Sequence, residues 1–149
     1  MDKQIYLVIS SRLKILVPDL KWIDYDWGQL NGDQPPVAFP CALIEIAYSN
    51  CSDLAEGAGA VEQRVNASVT IKLAFQPLGD SQVTAPDESR AIALKPLDTI
   101  QSIHTALQGW NGEGIFAGLS RRRGSSVNRS DKLKIYNIVY ETTFINVPD

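Results

Sequence analysis

The sequence carries one histidine, two cysteines and one methionine in 149 residues, and these shortages remove several function classes at once. A lone imidazole, His104, cannot build a metal site with the usual His or Cys partners. Cys41 and Cys51 allow at most one bridge, so no disulfide framework staples the fold and no second pair completes a zinc site. Cys41 follows Pro40 and opens the apolar run Ala42, Leu43 and Ile44, which predicts a buried thiol. Cys51 lies in a polar stretch with Ser49, Asn50, Ser52 and Asp53, read as a turn; it would pair with Cys41 only in an oxidising compartment. No stretch approaches the roughly 18 apolar residues that cross a bilayer, so no membrane partner is expected. The chain begins Met1-Asp2-Lys3-Gln4 without the apolar core of a signal peptide, and cytosolic production is the expectation.

Catalytic and cofactor motifs are equally scarce. HExxH, CxxC and Walker-type spacings do not occur. Gly109, Gly112 and Gly114 are close together, but they follow a predicted helix. A phosphate-cradling loop must follow a strand and open a helix, so these glycines read as a helix end and turn. Asp24 and Asp26 share a face of a short predicted strand, where divalent-metal binding or paired acid–base work would be chemically possible. No third carboxylate stands at a supporting spacing, and the pair reads as solvated surface. The expectation is a non-enzyme with no catalytic residue, no metal and no cofactor.

What the sequence does hold is the material of one α+β domain spanning residues 1–149. Its length matches the commonest domain size, and 44% apolar with 21% charged residues is ordinary for a globular chain. Residues 3–17 predict a helix capped by Asp2 and stopped by Pro18, with Ile5, Val8, Ile9, Leu13 and Leu16 forming an apolar stripe. Tyr6, Leu7, Ile15 and Val17 widen that stripe beyond what one packed side needs. Residues 20–28 read as a short aromatic strand, 29–36 as a loop, 41–47 as a buried strand and 50–60 as a loop or hairpin tip. Val65, Ala67, Val69, Ile71, Leu73 and Phe75 alternate with polar residues, which specifies a long strand with one dry face, paired antiparallel with 41–47. After a loop at 76–86, residues 87–107 return to helical periodicity, with Ile92, Leu97, Ile100, Ile103, His104 and Leu107 on one side; Pro96 either kinks this helix or begins a second one. Strands at 115–123 and 132–147, joined by a polar loop at 124–130, complete the order α-β-β-β-α-β-β. Such an order, without regular βαβ alternation, predicts a mostly antiparallel sheet flanked by two helices.

The charge is unevenly spread. Arg121, Arg122, Arg123, Arg129, Lys132 and Lys134 fall between residues 121 and 134 beside a single acid, Asp131, so that segment carries +5 within a chain of −3 and the remainder carries −8. On a hairpin, Lys132 and Lys134 would share a face, with Arg121 and Arg123 in cross-strand reach. These six cations are the candidate contact residues, facing a partner subunit's acidic surface or a nucleic acid. In the nucleic-acid alternative, Tyr136 and Tyr140 serve as stacking groups. One basic end on an acidic body also suits head-to-tail association of copies.

The layout resembles the tail-terminator and tail-completion proteins of tailed bacteriophages. The resemblance runs through the first helix ended by Pro18, the segment 24–29 leading to Pro40-Cys41-Ala42-Leu43-Ile44-Glu45, and the alternating strand 61–75. It continues through a helix ending Ala106-Leu107-Gln108-Gly109-Trp110 and a closing Arg-rich hairpin. It covers nearly the whole length as a pattern of elements, and it maps no functional residue position by position. It implies a structural protein of virion or prophage-tail assembly, without cofactor. Such proteins form a ring, typically of six, that caps the tail tube and meets head or neck proteins, with DNA passing the lumen as a possible contact. It implies assembly in the host bacterial cytoplasm and a final place in the virion tail.

Overall fold

The computed structural model describes residues 1–54, 61–129 and 131–148. Helix α1 spans Asp2–Leu16 and α2 spans Asp87–Leu107; strands β1 (Trp22–Tyr25), β2 (Cys41–Asp53), β3 (Gln63–Phe75), β4 (Ser120–Asn128) and β5 (Lys134–Asn146) form one sheet in the order β1-β2-β3-β5-β4. All neighbours are antiparallel except β1 and β2, which run parallel. The chain is thus α+β with the expected order of elements.

The period-two pattern of β3 does what its spacing requires. Val65, Ala67, Val69, Ile71 and Leu73 point into the core beneath the helices, against Ala42, Ile44 and Ile46 of β2 and Ile138, Tyr140 and Phe144 of β5. Helix α1 contributes Ile5, Ile9 and Leu13, all fully buried; each is worth about 1.5–3 kcal/mol of transfer energy. Pro18 ends the helix as expected, with Val17 closing the last turn by donating to the Leu13 carbonyl. Asp2, however, is the first residue of α1 and not its cap; its carboxylate accepts from the Tyr48 hydroxyl. The outer flank of the stripe is also not covered: Leu7, Ile15 and Leu16 are exposed.

Helix α2 runs unbroken through Pro96. Only its second half packs inward, through Thr99, Ile103, Ala106 and Leu107, while Ile92 and Leu97, expected on the inner side, face outward. The two helices are tied where the Arg12 guanidinium donates to the Ala106 carbonyl and lies over the Trp110 ring.

A parallel β1–β2 pair needs a crossover, and residues 26–40 provide it across the sheet's other face. Leu30, Val37 and Phe39 from this crossover cover Cys41, Leu43, Ala74 and Ile135 in a second, smaller core. Cys41 is buried there as expected, and burial pushes its thiol up to about 11. Three strand boundaries differ from expectation. Residues 50–53 belong to β2, so Cys51 lies on a strand and not in a turn; the rest of that expected loop, 55–60, falls outside the described residues. Residues 115–119 precede the sheet instead of joining it, and 124–128 are strand instead of loop, so β4 sits five residues later than its composition suggests.

Candidate functional site

The β4–β5 hairpin carries the six candidate cations, and its register decides which of them act together. Arg121 lies opposite Tyr140, Arg123 opposite Val139 and Asn128 opposite Lys134. Arg121 and Lys134 are therefore separated by the six residues from Tyr140 to Lys134 on β5, about 20 Å along a strand. The expected cross-strand cluster does not form, because the hairpin turn falls later than the sequence suggested. Lys132 is in that turn at φ 68°, outside the strand, and shares no face with Lys134.

At the turn end the cations are engaged. Arg129 donates to the carbonyls of Leu30 and Gly32 and pairs with Asp131 at 2.6 Å, so its guanidinium fastens the 26–40 crossover to the hairpin. The Lys134 ammonium donates to Asn128 and stands 5.7 Å from the centre of the Tyr136 ring.

The other end is different. A bulge between Arg121 and Arg123 leaves Arg122 without a partner across the ladder and turns its neighbours to opposite faces. Arg122 pairs with Glu141 at 3.2 Å. Arg121 shares the helix-covered face with Tyr140 and His104; its positive charge and, more strongly, burial hold the His104 pKa below its usual value. Burial also pushes the Tyr140 hydroxyl up to about 12, although Arg121 opposes that shift. The two rings are joined by a 3.1 Å hydrogen bond between His104 Nδ1 and the Tyr140 hydroxyl. Among the described residues no carboxylate pairs with Arg121 or Arg123.

A groove of about 510 Å³ lies between α2 and β4. Ile100 of α2 forms one wall, Arg121 and its β4 neighbours the other, and Tyr136 and Ile138 of β5 the floor. The stacking roles expected for tyrosines are not open to Tyr140, which is 0% exposed, and Tyr136 is already stacked on Phe75 at 5.7 Å.

The paired carboxylates are likewise occupied. Asp24 accepts from the Tyr25 amide and from the Gln29 side chain, while Asp26 accepts from the Gly28 amide and pairs with Lys72 at 3.1 Å. They brace the start of the crossover. Among the described residues no three His, Cys, Asp or Glu side chains gather in a metal-binding arrangement. Gly109 and Gly112 adopt positive φ as the helix end and turn require, and at Gly112 a Cβ would run into the Phe116 ring.

Two apolar surfaces lie away from the hairpin, on the first helix and the loop 76–86, both expected as contact surfaces. One flanks α1, where Leu7, Ile15 and Leu16 border a 330 Å³ hollow closed by Trp110. The other begins in the loop 76–86, where Leu78 is 67% and Val83 73% exposed, and continues along the outer side of α2 through Ile92 and Leu97. The sequence signal was present in each case as more apolar residues than one buried stripe can use.

No family model and no curated protein matches the chain. A solved structure does. A chain of the virion of a native gene transfer agent particle superposes with a TM-score of 0.56 at 12% identity, covering 95% of this chain and 94% of that one. The shared property is the fold. It extends over both chains almost end to end.

Proposed function

We propose that this protein is a structural subunit of a phage-derived particle, and that its copies form a ring that terminates or completes the tail and meets the head or neck. The observation that carries this reading is the end-to-end likeness to a chain of a gene transfer agent virion. The surface chemistry supports it: uncovered apolar residues on α1 and on the 76–86 loop, and unpaired cations on an exposed edge strand, are what subunit contacts use. The role is one of assembly and not of catalysis, with its polar candidates engaged in local hydrogen bonds and ion pairs. The nucleic-acid alternative draws no support from the hairpin, whose cations divide between two ends and whose Tyr140 is buried.

Native mass spectrometry and light scattering over a concentration series test the reading. The expected result is a closed oligomer whose population rises with concentration and whose images show a ring. A protein that stays monomeric at high concentration overturns it.

A further inference from the structure

The groove between α2 and β4 combines an apolar floor with cations that have no acidic partner. Ile100, Tyr136 and Ile138 line it, Arg121 stands at its wall, and Arg123, turned to the other face by the bulge, borders it only at the strand edge. One other surface of the same chain has the complementary composition. The loop 76–86 and the first turn of α2 present exposed Leu78 and Val83 together with Asp80, Asp87 and Glu88, and no basic residue occurs between Gln76 and Glu88. None of these three acids is ion-paired among the described residues.

The loop is held in shape before any contact. The Asp80 amide donates to the Ser89 hydroxyl, the Gln82 amide to the Asp80 carboxylate and the Ala85 amide to the Gln82 carbonyl. Gly79, at φ 76°, lies so close to the Ser89 carbonyl that a Cβ there would collide. A segment ordered in advance loses little conformational entropy on docking.

In the folded chain no residue of the loop 76–86 or of the first turn of α2 lines the groove. Asp87, at the start of α2, and Ile100, at the groove, are thirteen residues apart on one helix, about 20 Å of rise. We propose that the acidic loop of one copy seats in the Arg121 groove of the next, Leu78 and Val83 on the apolar floor and Asp80, Asp87 and Glu88 against Arg121, with Arg123 meeting them only around the edge of β4. The contact joins two different faces and therefore propagates head to tail, closing into a ring if the rotation allows. The assignment rests on the oligomer proposed above and names the surfaces that build it.

Two charge-reversed full-length chains test it. One carries Arg121→Glu and Arg123→Glu, the other Asp80→Lys, Asp87→Lys and Glu88→Lys. All five positions are exposed, and thermal melts check that each variant folds. Each alone should self-associate at least about tenfold more weakly than the native chain, since like charges now face each other. An equimolar mixture of the two should recover association, because each mismatched face then meets its complement. Recovery on mixing also separates a specific contact from a general loss of stability. If both variants assemble as the native protein does, the loop–groove contact is wrong while the ring reading stands, and the groove belongs to a different protein. A native chain that is monomeric throughout overturns the ring reading and this contact together.

Discussion

Arg129 donates to two crossover carbonyls and to Asp131, so truncating it leaves the Leu30 and Gly32 carbonyls short of a donor and the small second core loosely fastened. Arg129→Ala should lower the unfolding free energy by about 1–3 kcal/mol in urea titration, with Arg129→Lys recovering only part because it has no fork to span both carbonyls. His104 makes a second prediction. Its folded pKa is depressed, while the unfolded chain titrates near 6.5, so the unfolded state takes up protons first as pH falls. Stability should therefore decline as pH drops through 6.5 and level off below the folded pKa; in His104→Gln, denaturant midpoints between about pH 7 and 5 should fall less steeply than in the native chain. At this scale the sequence exposed the cations and the lone histidine but not their uses. Six basic residues in one segment are visible in a string of letters. That Arg129 is a clamp, Arg122 half of an ion pair and Arg121 the wall of a groove depends on a bulge and a register that only the folded sheet sets.

Elements were legible in proportion to how one-sidedly they are buried. Strand β3 alternates because one face meets the helices, and α1 shows its stripe because Ile5, Ile9 and Leu13 enter the core. Strand β4 has no buried residue, and Gly124, Ser125, Ser126 and Asn128 have weak strand preference, so nothing in its composition marks where it begins or ends. It is held by pairing to β5, a long-range partner. The same edge strand carries three arginines and a bulge, features that discourage another strand from adding to it. The two sides of α1 allow a paired test by thermal and urea unfolding. Leu13→Ala should cost about 2–4 kcal/mol, since a fully buried side chain leaves a cavity, whereas Ile15→Ser at a 74% exposed position should stay within about 0.5 kcal/mol. A large loss at Ile15, in protein dilute enough to be monomeric, would mean that the outer flank of α1 packs within its own chain.

Across the whole molecule, charge and apolar surface are distributed so that one chain carries two unlike surfaces. The basic edge lies beyond β5, and the acidic, apolar loop at the start of α2. Composition alone revealed the −8 body and +5 segment, and with them the expectation of head-to-tail association. It could not reveal the groove, whose walls come from α2 and β4 and whose floor comes from β5 only once the sheet has formed. The salt response belongs at this scale: association through Arg121 and Arg123 should weaken as ionic strength rises, by a margin that shrinks in the Arg121→Glu, Arg123→Glu variant.

The central ladder has a consequence in time. β3 and β5 pair along their whole length, from Phe75 with Lys134 to Gln63 with Asn146, joining residues 59 to 83 positions apart. Long loops must close before this pairing rewards the chain, which makes folding slow for its size. During synthesis the β2–β3 hairpin can form early, yet its β3 edge stays open until β5 has left the ribosome. The groove is finished at that same late moment, since β5 supplies its floor. A growing chain thus cannot offer a neighbour the proposed groove before its own sheet is complete.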